Sequence, residues 1–234
     1  MLPIIATPKY EMIVPSTGEA ITYRPYLVRE EKVLLIALES QDDTAIENAV
    51  ESVLKACIES KIDIKSLTTF DIEFMFVTLR SKSVGEGIKV GIKCESCEES
   101  NEIKIELEKV IVTNLEDEVD KHIKLSDDMS IDVRWPTNKD RLSNKQRETQ
   151  TDAIINMLAK CIATVYHGED IHNMKDVTHK EATSFIESLS TDNFQSIMAV
   201  MDKAPVLHYD LEFKCKACGH ENTRELNGLV DFFT

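Results

Sequence analysis

Basic residues are scarce in this sequence of 234 residues. Lys and Arg number 27 against 42 Asp and Glu, which gives a net charge of -15. A surface that binds nucleic-acid phosphates needs clustered positive charge, and here the basic residues are interspersed with acidic ones. Nucleic acid and anionic membranes are therefore not expected partners. The negative charge favours solubility and can steer the protein toward basic surfaces of other proteins.

Long apolar runs are also missing. The longest is Val33–Leu38, far short of the roughly 20 residues that span a bilayer. The N-terminus lacks the basic stretch and long apolar segment of a secretory signal. We therefore expect the protein in a cytosolic compartment.

The sequence lacks the common catalytic motifs as well. It contains no P-loop, GxGxxG, GxSxG or HExxH pattern, and its six histidines show no paired ligand spacing. We interpret His167 and His172, which flank residues 168–170, as parts of a solvated loop. The sequence thus predicts no catalytic residues and a protein that is not an enzyme. A thiol oxidoreductase stays open as the enzymatic alternative.

Hydrophobic periodicity predicts an α+β fold, with helices packed on small antiparallel sheets. The length suits one domain, or one domain with a small appended module. The first predicted helix is apolar nearly all round, so we expect it to be well buried. Helices are predicted at about 28–39, 44–60, 68–83, 153–166, 178–189 and 190–204, and strands at 10–14, 20–24, 88–92, 103–107, 122–125, 130–135 and 206–213.

Two short segments of the chain resemble each other. Residues 90–102 and 211–223 align without a gap, and both read apolar-x-apolar-Lys-Cys-x-x-Cys, with Asn four residues after the second Cys. Alternating residues on both sides predict two strands with the CxxC pair at the hairpin tip. This is an internal repeat of a short unit, whose copies are separated by 117 residues (215 − 97 − 1).

The paired cysteines predict one structural zinc site. Two residues between the sulfurs let both thiolates of a pair reach one ion, and structural zinc takes four ligands in a tetrahedron. The separation exceeds the usual spacer of roughly 15–20 residues, which an inserted subdomain with adjacent ends explains. The lysine before each first cysteine favours the thiolate form. The predicted Zn²⁺ ligands are Cys94, Cys97, Cys215 and Cys218.

Other uses of these cysteines stay open at this point. They could form a redox dithiol, hold no metal, or share the ion with His220 in place of one thiolate. A thioredoxin-type dithiol opens a helix after a strand, which neither CxxC pair does. A catalytic zinc keeps an open position and usually includes His or carboxylate ligands. The remaining cysteines, Cys57 and Cys161, lie on apolar helix faces and are expected in the core.

Three N-terminal segments carry distinctive patterns. Residues 10–18 and 23–35 read VPSTG…RP…REEK.LL, and residues 70–85 read FD.E..F..LR.KSVG. In these patterns the chain resembles the baseplate hub proteins of T-even-type contractile-tailed bacteriophages, and the resemblance continues through both CxxC hairpins. The matching charged residues could contact partners or form local ion pairs on a solvated helix face; they are Arg24, Arg29, Glu30, Glu31, Arg80 and Lys82.

The resemblance implies a non-enzymatic structural or chaperone-like assembly role in the central hub of the tail baseplate. Its partners would be other hub proteins, and its location the host cytoplasm during assembly, with the virion baseplate as a second location. The alternative is a zinc-ribbon regulatory protein that acts on nucleic acid or transcription machinery, against which the net charge argues.

The sequence divides into four predicted segments that form one compact domain. An N-terminal hairpin and helical region is expected at 1–87, and an inserted hairpin and helical region at 109–204. The two zinc knuckle hairpins occupy 88–108 and 205–234, the latter with the C-terminus.

Overall fold

The computed structural model describes residues 6–115, 119–142 and 149–229, and it has the predicted α+β fold. The α-helices are α1 (Val28–Ser40), α2 (Asp43–Cys57), α3 (Thr69–Ser83), α4 (Asn138–Leu142), α5 (Gln150–Cys161), α6 (His179–Glu187) and α7 (Thr191–Met201). The strands are β1 (Tyr10–Ile13), β2 (Ala20–Tyr23), β3 (Gly87–Lys93), β4 (Ser100–Glu106), β5 (Ile111–Thr113), β6 (His122–Lys124), β7 (Met129–Val133), β8 (Ile162–His167), β9 (Asp170–Asn173), β10 (Val206–Lys214) and β11 (Glu221–Asn227).

The strands of the described residues pair into four antiparallel sheets. Their orders are β1-β2, β3-β4, β11-β10-β5 and β6-β7-β8-β9. Within the same residues, no helix is both long enough and apolar enough to cross a bilayer.

The chain forms two compact units. The first contains the described residues up to Leu115 and those from Pro205 onward, and the second contains those between them. The second unit therefore lies within the segment 109–204, which the sequence predicts to be inserted. That all four segments form one compact domain stays a prediction, and each unit is described by itself.

Helix α3 supplies much of the core of the first unit. Thr68 caps it as predicted, because its hydroxyl accepts the N–H of Asp71 while the Asp71 carboxylate accepts the N–H of Thr68. Phe70, Met75 and Phe76 are buried, as the sequence predicts. Full burial of one such side chain contributes about 1.5–3 kcal/mol to folding. Helix α3 also contacts β10, so the C-terminal hairpin shares this core.

Helix α1 has the predicted bounds but not the predicted burial. Val28 is 80% exposed, and Leu35 and Ile36 are more than half exposed, so the expectation of a well-buried helix is wrong. The helix packs on α2 through a narrow face that includes the buried Ala37. Its apolar run therefore supplies more hydrophobic surface than this unit covers.

The second unit packs three helices against the sheet β6-β7-β8-β9. Ile131, Leu158 and Ile197 are among its buried residues. The predicted helix 153–166 is wrong in its last part, since α5 ends at Cys161 and the next six residues form β8. That segment is rich in β-branched residues, which suit a strand that pairs with β7. Residues 168–170 are exposed, as the sequence predicts, and they lie at the tip of the β8–β9 hairpin.

The two units share a local arrangement that lies outside the two aligned CxxC segments. In each, an arginine follows the second strand of a hairpin, and its backbone N–H donates to the carbonyl of a cysteine that ends a helix. Arg24 donates to Cys57 at 3.0 Å, and Arg134 donates to Cys161 at 2.8 Å. Both cysteines are buried, as predicted, and burial raises the pKa of their thiols to about 11 and about 12.

The two arginine side chains also make matching ion pairs. Arg24 binds Glu30 at 3.0 Å, and Arg134 binds Asp140 at 2.7 Å. Each carboxylate lies six residues after its arginine, in the first turn of α1 or α4. Burial raises the pKa of Glu30, but hydrogen bonds from Arg29, Arg24 and a backbone N–H lower it to about 2. These contacts are local ion pairs, one of the two roles that the sequence leaves open for the charged positions.

A constant offset connects the two arrangements. The arginines and the carboxylates both differ by 110 positions (134 − 24 and 140 − 30). The capping boxes of α3 and α6, which begin at Thr68 and Thr178, differ by the same number. Each arrangement is followed in sequence by one CxxC hairpin. The two halves of the chain therefore contain a hairpin, helices and a CxxC knuckle in the same order.

Candidate metal centre

The first CxxC pair lies at the tip of the β3–β4 hairpin. The N–H of Cys94 donates to the carbonyl of Glu99 at 2.9 Å, and the N–H of Glu98 donates back to the carbonyl of Cys94 at 2.9 Å. This tight turn places Glu98 in the left-handed region, at a φ of 60°. That conformation is costly for any residue with a side chain.

The second CxxC pair repeats this turn at the tip of the β10–β11 hairpin. The N–H of Cys215 donates to the carbonyl of His220 at 2.8 Å, and the N–H of Gly219 donates to the carbonyl of Cys215 at 3.0 Å. Here glycine occupies the left-handed position, with a φ of 75°. The two predicted knuckles thus have the same backbone hydrogen bonds.

The structure brings the two tips together. The sulfurs of Cys94 and Cys218 are 3.7 Å apart, and those of Cys97 and Cys215 are 3.6 Å apart. All four sulfurs lie within 4.8 Å of one another. A tetrahedron with metal–sulfur bonds of about 2.3 Å has sulfur–sulfur edges of about 3.8 Å. The two separations between the hairpins match this edge length, and the four thiols are close enough together to share one metal ion.

The geometry bears on the alternative uses of these cysteines. All four cysteines are free, and the separations of 3.6 and 3.7 Å between the hairpins are well above the about 2.05 Å of a disulfide, so no disulfide joins the two hairpins. Among the described residues, the group that could hold a metal consists of the four cysteines, and His220 is exposed outside it. The donor set is four sulfurs, which structural zinc sites favour over sites that keep an open position.

The asparagine shared by both CxxC segments connects the hairpins. Asn101, on β4, is 1% exposed, and its side chain reaches across to the second knuckle. Its Oδ1 accepts the N–H of Lys216 at 3.0 Å, and its Nδ2 donates to the sulfur of Cys215 at 3.5 Å. Nδ2 also donates to the carbonyl of Glu99 in its own turn, at 2.9 Å.

Asn222 makes the reciprocal contacts from β11. It is 2% exposed, and its Oδ1 accepts the N–H of Glu95 at 2.9 Å. Its Nδ2 donates to the carbonyl of His220 at 3.0 Å, and its side chain lowers the pKa of the Cys94 thiol. Each hairpin thus supplies a buried amide that satisfies the loop and the first cysteine of the other.

Hydrogen bonds to sulfur favour the thiolate form of the first cysteine in each CxxC pair. Backbone N–H groups, with that of Cys218 first, and the nearby asparagine lower the pKa of Cys215 to about 6. Burial raises the pKa of Cys94, but hydrogen bonds from two backbone N–H groups and from Asn222 lower it overall. A backbone N–H lowers the pKa of Cys97, whereas contacts with the other thiols and burial raise it to about 12. Backbone N–H groups are among the largest influences on the pKa values of Cys94 and Cys215, and the lysine before each of these cysteines is not.

The sequence was also compared with known proteins. It matches the model of a family described as T4 bacteriophage base plate protein over residues 7–234. The chain belongs to this family. No curated protein matches it, and no solved structure does. The resemblance to T4-type baseplate proteins is therefore confirmed, and this is a bacteriophage baseplate protein that is expected to contact other baseplate proteins.

The family match extends through both halves of the baseplate protein and includes all four clustered cysteines. The sequence predicts those cysteines but not the role of Asn101 and Asn222. The two asparagines occupy the same place in the aligned segments, and this shared position is the sequence signal for their role. Their contacts run between the hairpins, however, and become visible only when the two tips meet.

Proposed function

We propose that this baseplate protein is a non-enzymatic structural or assembly protein of the central hub of the phage tail. We also propose that a structural zinc ion stabilises it, bound by Cys94, Cys97, Cys215 and Cys218. The proposal depends above all on the four sulfurs, which lie within 4.8 Å of one another at the tips of two hairpins. The hub assignment is supported by the N-terminal patterns that resemble hub proteins.

Zinc would join parts of the chain that are far apart in sequence. The hairpins β3–β4 and β10–β11 belong to the same unit, although 117 residues separate their CxxC pairs. A short two-stranded hairpin is marginally stable by itself. Zinc binding to such thiolate sites has an apparent free energy of about 10–16 kcal/mol. The ion would therefore hold the C-terminal hairpin against the first half of the chain.

Full coordination by protein thiolates supports a structural role for the ion. A catalytic zinc needs a position for water or substrate, and four thiolates complete the tetrahedron. The side chains around the cluster would then act by holding thiolates and by keeping the hairpins in register. Function would reside in the surface that this framework supports.

The charge of the chain supports protein partners with basic faces. A net charge of -15 gives long-range attraction to such surfaces and repulsion from nucleic acid. The interaction should weaken as salt rises, because the Debye length falls from about 10 Å at 0.1 M to about 3 Å at 1 M.

Affinity capture from infected cells tests the hub assignment. The tagged full-length protein should co-purify with hub components from assembly intermediates, and with fewer of the other tail components. Mass spectrometry of mature virions then separates a structural subunit, which is retained, from an assembly factor, which is absent. Capture of other tail components without hub components would contradict the assignment, and a salt-dependent shift of DNA or RNA would favour the regulatory alternative.

A further inference from the structure

The outward face of α1 is an apolar stripe with charges at both ends. The helix has 3.6 residues per turn, so residues spaced by three, four and seven lie on one side. Each residue of the stripe is exposed, and the three apolar ones are Val28 at 80%, Leu35 at 53% and Ile36 at 57%. In chain order the stripe contains Val28, Arg29, Lys32, Leu35, Ile36 and Glu39.

The basic and acidic residues of this stripe lie at opposite ends of the helix. The basic residues Arg29 and Lys32 lie in the first half of the helix, and the acidic Glu39 lies in the last turn. The exposed Asp43 begins the next helix, so the acidic end continues beyond α1. Within the described part of the chain, neither Lys32 nor Glu39 forms an ion pair. These two charges are therefore available to a partner.

We propose that this stripe pairs with the same stripe of a second copy of the chain, with the two helices antiparallel. A two-fold axis that passes between Leu35 and Ile36 brings together residues of the two copies whose numbers add up to 71. Lys32 then faces Glu39 of the second copy (32 + 39), and Leu35 faces its Ile36 (35 + 36). By symmetry the ion pair and the apolar contact each form twice, and the apolar centre is covered on both sides. A closed two-fold pairing needs such a self-complementary surface.

The contact is small, so the pairing is weak. A helix of 13 residues is about 20 Å long, at 1.5 Å per residue. The stripe offers six residues, whereas a standard stable interface uses about 20–30 a side. We therefore expect a dissociation constant on the order of 10–100 μM at 0.15 M salt. At that salt the Debye length is about 8 Å, which screens much of the repulsion between two acidic chains.

Sedimentation equilibrium of the full-length protein tests the pairing, from about 5 to 500 μM at 0.15 M salt. The wild type should pass from monomer to dimer. Leu35→Asp, which places a charge at the centre, should remain monomeric throughout. Lys32→Glu turns two attractions into repulsions and should weaken the dimer about tenfold. Lys32→Glu combined with Glu39→Lys should restore the wild-type constant.

Helix α6 provides a matched control, because Lys180 and Glu187 are exposed and also lie seven residues apart. Lys180→Glu changes the net charge as Lys32→Glu does, and it should leave self-association unchanged. Circular dichroism must show that each variant keeps the wild-type fold. A protein that is monomeric at 500 μM, or a dimer that survives Leu35→Asp, would overturn the proposal. Equal weakening by both lysine variants would also do so, since it would show an effect of net charge alone.

Discussion

The buried Asn101 should decide how tightly the proposed zinc ion is bound. Replacement by Ala removes a donor to the sulfur of Cys215 and leaves the N–H of Lys216 without its acceptor. An unsatisfied buried group costs about 1–3 kcal/mol. Loss of a group that orients metal ligands typically lowers metal affinity by about 10–100-fold. We therefore expect Asn101→Ala to weaken zinc binding by at least tenfold and to destabilise the folded chain by about 2 kcal/mol.

A second substitution at the same position separates the two contacts. Asn101→Asp keeps an oxygen that can accept the N–H of Lys216, but it loses the donor to sulfur. It also places a carboxylate beside thiolates that are already negative. We therefore expect Asn101→Asp to weaken zinc binding more than Asn101→Ala, although it preserves more of the loop. Asn222→Ala should resemble Asn101→Ala, because the two residues make reciprocal contacts.

Competition between the protein and a chromophoric chelator for zinc measures these affinities, and urea unfolding of the zinc-loaded variants measures their stability. Cobalt substitution adds a visible spectrum that reports the thiolate environment. Asn48→Ala, at an exposed position of α2, is the control and should change neither quantity. If Asn101→Ala and Asn101→Asp both keep the wild-type affinity within about twofold, the proposed role of the amide is refuted.

Three further outcomes follow from the structure. Glu98→Gly should stabilise the chain by about 1 kcal/mol, and Gly219→Ala should destabilise it by about the same amount, in urea unfolding of zinc-loaded protein; equal effects of the same sign would contradict the shared turn. Because the pKa of Glu30 is lowered to about 2, its pairing with Arg24 should stabilise the fold above about pH 4.5 and lose this effect toward pH 2. The stability difference between wild type and Glu30→Gln should therefore shrink as pH falls, and a constant difference would contradict the ion pair. Ile131→Ala, which empties a fully buried position, should cost about 2–5 kcal/mol by thermal or urea unfolding, and a loss below about 1 kcal/mol would contradict its place in the core.

The sequence predicts those features whose signals are local. The capping boxes that begin at Thr68 and Thr178 fix helix starts through residues three positions apart, and both predictions are confirmed. The clustering of the four cysteines was also predictable, because the CxxC spacing limits the chemistry and one pair leaves a tetrahedral ion half coordinated.

Features that depend on distant contacts were not predictable in the same way. Residues 162–167 continue the apolar spacing of α5, and only their pairing with β7 makes them a strand. The apolar run of α1 does not show by itself whether its residues are buried within the chain or exposed on its surface. The relation between the two halves depends on a few residues, such as Arg24 and Arg134, whose shared contacts emerge from the structure.

The zinc content of the protein tests the central claim most directly. The full-length chain should be purified under reducing conditions without added metal and then analysed by inductively coupled plasma mass spectrometry. We expect one zinc per chain, and little or none in the variant Cys215→Ser, because three thiolates cannot complete the site. A wild-type protein that is folded, fully reduced and free of metal would contradict the claim.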